Sequence, residues 1–69
     1  MTEIERILLG KGLSVHGLHK RIGGNRTLVY ANVAGRSAAT KPQRKRIADV
    51  LDVAEDELFD DFGMARRAE

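Results

Sequence analysis

Ser14-Val15-His16-Gly17-Leu18-His19-Lys20-Arg21-Ile22-Gly23-Gly24-Asn25-Arg26-Thr27-Leu28-Val29-Tyr30-Ala31-Asn32-Val33-Ala34-Gly35 is the stretch around which the rest of the chain is organised. Ser14 is placed to cap a helix, because its hydroxyl can accept from a backbone N–H one turn on that otherwise lacks a partner. Leu18 and Ile22, four apart, give that helix an inward stripe. Gly23-Gly24 breaks the chain where a positive φ costs little, and Asn25 caps a further helix over 26–34 that Gly35 stops. Two short helices joined by a glycine turn are therefore expected here.

Working outward, Ile4, Ile7, Leu8 and Lys11 follow the i, i+3, i+4, i+7 spacing of a first helix, with Glu3 and Glu5 near its positive end and Gly10 and Gly12 closing it. Beyond Gly35, Arg36–Ala39 is a short polar connector. Thr40-Lys41-Pro42-Gln43 then matches a capping box with proline in the first helical turn. Ile47, Ala48 and Leu51 form the apolar face of that helix, and the chain must turn at Asp52. A last short helix carries Glu55, Asp56 and Glu57 at its start, with Leu58 and Phe59 facing the core. No segment alternates in the manner of a strand. The expected fold is all-α: five short helices forming one domain over residues 1–62, with 63–69 frayed.

Sixty-nine residues suffice for one small domain, and a chain of this size buries only about 60 % of the surface exposed when unfolded. With no cysteine it uses neither disulfides nor thiolate–metal sites, which fits a reducing compartment. Neither a membrane span nor a signal-peptide pattern is evident, so a soluble cytoplasmic protein is expected.

Charge is distributed unevenly. No Asp or Glu occurs from Arg6 to Ala48, whereas Arg6, Lys11, Lys20, Arg21, Arg26, Arg36, Lys41, Arg44, Lys45 and Arg46 all fall there. Residues 1–54 hold ten cations and four anions, +6; residues 55–69 hold two and six, −4, within a total of +2. A polyanion is the expected partner of the basic part, and double-stranded DNA the natural candidate.

The helix over 26–34 divides accordingly. At about 100° per residue from Arg26, Leu28, Val29 and Val33 share an inward arc, while Thr27, Tyr30, Ala31 and Ala34 share the opposite one. Asn25, Arg26, Thr27, Tyr30 and Ala31 are the expected base-reading residues: Arg suits guanine O6 and N7, Asn suits adenine, and Tyr30 can stack on sugar or donate to phosphate. Lys20, Arg21, Arg36, Lys41, Arg44 and Lys45 are the expected phosphate contacts, with Arg46 completing the Lys41–Arg46 run.

Lys11-Gly12-Leu13-Ser14, Leu18, Lys20-Arg21-Ile22-Gly23, Arg26, Val29 and Gly35, followed by Arg46–Val53 and Asp56-Glu57-Leu58-Phe59, resemble the Cro/phage-repressor (XRE-type) family of helix-turn-helix regulators over about residues 4–59. Leu28-Val29-Tyr30 with Gly35-Arg36 is also similar to small Ner-type DNA-binding proteins of Mu-like phages. The resemblance implies a lambda-repressor-like domain with the third helix in the major groove, homodimers on a short palindromic operator, and regulation of transcription in a phage, a prophage or a bacterium. The chain departs from the family pattern at His19, Gly24 and Asn32, and Val15 stands where the family often has glutamine. Asn32 falls in the apolar arc, and His19 is its expected hydrogen-bond partner across the two helices.

Other readings are weaker. His16 and His19 have a spacing able to ligate metal, but no cysteine or nearby carboxylate completes a set; neither metal nor cofactor is expected. Ser14, His16 and Asp49 make no convincing catalytic group, and Gly23-Gly24 is not followed by the Lys-Ser/Thr of a phosphate loop, so no enzyme and no small-molecule substrate are expected. One Tyr and two Phe offer few stacking platforms for RNA. The alternative class is a protein–protein adaptor or antirepressor, for which the acidic Glu55–Asp61 segment would serve. Half-sites about 34 Å apart require a two-fold interface, and Leu58, Phe59, Phe62 and Met64 are its expected residues.

Overall fold

The computed structural model describes residues 1–68. Its helices are α1 (Glu3–Lys11), α2 (Val15–Ile22), α3 (Arg26–Ala34), α4 (Lys41–Leu51) and α5 (Glu55–Leu58). Among the described residues there is no strand, only two isolated antiparallel bridges, Thr2 with Arg67 and Phe59 with Ala65. The molecule is all-α, as expected.

Each helix begins where a side chain can satisfy a free N–H, except α5, which has no such cap. The complete capping box is at α1: Thr2 Oγ1 accepts from Glu5 N–H (3.2 Å), and Glu5 Oε1 accepts from Thr2 N–H (2.7 Å). The box expected at α4 is half made, with Thr40 Oγ1 accepting from Gln43 N–H at 3.3 Å. Asp52 ends α4 in the left-handed conformation, φ 57°.

α2 packs on α3 and α4, α1 on α3 and α5, and α4 on α5. Ile4, Leu8, Leu18, Val29, Val33, Ile47, Leu51, Leu58 and Phe59 fill the space between them. Leu28, assigned to the inward arc, is instead 55 % exposed. Its position at about 200° lies at the edge of that arc, where the start of α4 leaves an open depression rather than a packing partner.

The expectation that residues 63–69 fray does not hold for 63–68; Glu69 lies outside the described residues. Asp60 Oδ1 accepts from the N–H groups of Phe62 (2.9 Å) and Met64 (3.0 Å), turning the chain back. Arg66 N–H then donates to Leu58 O (2.8 Å), Glu3 N–H to Arg66 O (2.8 Å), and Ala68 N–H to Met1 O (2.9 Å). The segment is held between α1 and α5 by its backbone, so it needs no apolar periodicity.

Two of the residues expected at a dimer interface are corrected by the same packing. Leu58 and Phe59 are 0 % and 2 % exposed within one copy, so neither is available to a partner. Phe62 is 83 % exposed and Met64 half-buried.

Candidate nucleic-acid interface

The helices on either side of the α2–α3 turn each begin on a side-chain cap. Ser14 Oγ accepts from Gly17 N–H (3.0 Å), and Asn25 Oδ1 accepts from Leu28 N–H (3.3 Å). Gly23 and Gly24 have φ of 72° and 81°, a region that disfavours any residue with a Cβ. His19 Nε2 donates to the Gly24 carbonyl oxygen at 2.8 Å and fastens the turn to α2.

His19 is therefore not the partner of Asn32. Asn32 is 3 % exposed, as its place on α3 implied, but its Nδ2 donates to the carbonyl oxygen and the Oγ of Ser37, each at 3.2 Å. The bond ties α3 to the connector that follows rather than to α2. Thr2 adds a second tie, its hydroxyl donating to Val33 O at 2.6 Å.

Of the expected reading residues, Arg26 and Thr27 are exposed and Tyr30 is half-buried. These three line one depression together with Arg36. Ala31 is half-buried and does not line it. Asn25 stands on the other flank of α3, and its Oδ1 is engaged in the cap, leaving its amide N–H groups to donate.

The expected phosphate contacts separate into two groups. Lys20, Arg21, Arg36 and Lys41 are exposed, and among the described residues no carboxylate lies within 4.0 Å of any of them. Lys45 Nζ instead lies 3.2 Å from Asp49 Oδ2 in an exposed pair one turn apart. Arg44 is half-buried; its Nε donates to Ala39 O at 3.0 Å, and its side chain lines a depression with Glu55, Asp56, Asp60 and Asp61. Packed toward the acidic end of the molecule, Arg44 is not presented to a phosphate on the α3 side.

Arg46, the last cation of the Lys41–Arg46 run, is exposed, unpaired among the described residues, and lines the depression between α3 and α4 with Asn25, Leu28 and Gln43. Its signal was in the helix pitch: it falls about 160° from Arg44 around α4. Arg6, left unassigned by its position in the sequence, pairs with Glu3 one turn before it, Nε donating to Glu3 Oε1 at 2.8 Å. That hydrogen bond chiefly holds the Glu3 carboxyl below the usual carboxylate range and raises the Arg6 guanidinium in turn.

Among the described residues no group of three or more His, Cys, Asp or Glu side chains is arranged to hold a metal ion. Among the described residues no helix is long and apolar enough to cross a membrane. No protein-family model, curated protein or solved structure matches this chain.

Proposed function

We propose that the chain is a sequence-specific double-stranded DNA-binding regulator of the Cro/phage-repressor kind, which places α3 in the major groove. One observation carries this reading. The depressions on the two flanks of α3 carry Arg26, Arg36 and Arg46, and Lys20, Arg21 and Lys41 are exposed on α2 and α4, all without a carboxylate partner among the described residues. Unpaired cations repel one another, and a polyanion on that side relieves the repulsion while releasing its own counterions.

Within this reading Arg26 and Thr27, at the first turn of α3, face base edges. Tyr30 and Arg36 border the same depression and grip the adjoining backbone. The protein acts in the cytoplasm on the nucleoid and binds as a homodimer, with Phe62 and Met64 the remaining interface residues.

Selection of bound duplexes from a random pool tests the reading. The expected result is a recurrent short motif for the wild-type protein and loss of that motif, with weak binding retained, for Arg26→Ala. Enrichment of no motif removes sequence-specific recognition, and uniform weakening by Arg26→Ala makes that residue a backbone contact.

A further inference from the structure

α3 has a depression on each flank. One, lined by Arg26, Thr27, Tyr30 and Arg36, belongs to the interface described above. The other lies between α3 and the start of α4 and is bordered by Asn25, Leu28, Thr40, Gln43 and Arg46, with no carboxylate of the described residues along it. Two of its side chains have no counterpart in the fold. Leu28 is 55 % exposed while its neighbour Val29 is fully buried. Arg46 is exposed and has no ion-pair partner among the described residues.

We propose that this second depression takes one strand of the duplex, with Leu28 against a thymine C5-methyl group and Arg46 on a phosphate of that strand. The placement rests on the DNA-binding reading above and adds a specificity residue to it. Thymine's methyl is the one apolar group that bases present in the major groove, so an exposed leucine on a reading helix has a matching partner there. Leu28 lies in the first turn of α3, about 100° around the helix from Thr27, so a major groove that holds α3 between its two walls meets Thr27 on one flank and Leu28 on the other. A single positive charge with no opposing acid makes the same depression complementary to a phosphate.

The test uses duplexes selected by the wild-type protein, in which thymines are replaced one at a time by deoxyuridine. Each replacement removes a methyl and leaves every hydrogen-bonding group in place. At one or more positions the wild-type protein is expected to bind about four-fold more weakly, the worth of one methyl-sized apolar group, and Leu28→Ala is expected to be indifferent there. Arg46→Gln is expected to reduce the steepness of log K against log salt by about 0.9 for each bound copy.

A flat deoxyuridine scan with wild-type protein, or a full effect retained in Leu28→Ala, overturns the methyl contact. An unchanged salt slope in Arg46→Gln overturns the phosphate contact. If the wild-type protein binds no duplex in a salt-dependent way, the DNA-binding reading fails and this placement falls with it, an outcome distinct from the other two. Both side chains are exposed, so both variants are expected to keep the wild-type thermal transition, and the wild-type scan requires no variant at all.

Discussion

Asn32 illustrates how a residue's burial and its partner are encoded differently. At about 240° around α3 it had to face inward, so its burial was legible. Its partner was not, because Ser37 lies in a connector whose path no periodicity describes. Asn32→Ala leaves the part-buried Ser37 acceptors without their donor and is expected to lower stability by roughly 1–3 kcal/mol. A double-mutant cycle of Asn32 and His19, followed by urea denaturation, is expected to return a coupling below about 0.5 kcal/mol, since each bonds a different carbonyl. Gly63 makes the opposite case, a residue whose constraint is visible only in three dimensions. Its φ is +87°, and a Cβ built there would lie 2.6 Å from Ala39 O and 3.3 Å from the Arg44 guanidinium. Gly63→Ala is expected to cost at least about 1–2 kcal/mol from the left-handed backbone alone. An unchanged unfolding midpoint would contradict the close approach.

α4 shows what the pitch of a helix does to a run of like charges. Lys41, Arg44, Lys45 and Arg46 read as one basic cluster, but Arg44 falls at about 300° from Lys41, between Ile47 and Ala48, which are both buried. Helical position separates Arg44 from its neighbours, which the charge run alone does not. Arg44→Ala is expected to lower stability by about 1 kcal/mol, through its hydrogen bond to Ala39 O, while leaving the salt dependence of DNA binding unchanged. Lys41→Gln is expected to do the reverse. The helix boundaries themselves were readable, because Ser14, Asn25 and Thr40 are good caps and Gly23, Gly24 and Gly35 lie in left-handed or otherwise positive-φ backbone. The segment after Phe62 was not, since its order comes from backbone pairing with Met1, Glu3 and Leu58 that leaves no pattern in the side chains. Ending the chain at Phe62 is therefore expected to lower the urea midpoint, with a loss of about 2 kcal/mol or more.

At the scale of the whole molecule, charge and packing divide the surface in two. Arg44 lines a depression with Glu55, Asp56, Asp60 and Asp61, while Arg26, Arg36 and Arg46 line the two depressions beside α3, which no carboxylate of the described residues borders. Leu58 and Phe59 belong to an apolar run near the chain's end that the sequence alone leaves free for a partner; in a domain of this size the core needs both. Affinity for a mixed-sequence duplex, measured by fluorescence anisotropy between about 50 and 200 mM salt, decides whether the cationic surface is a DNA-binding surface. Four or more phosphate contacts per copy predict log K falling with log salt at a slope of about −3.6 or steeper for each bound copy. A slope near zero, or no binding at the lowest salt, would contradict it.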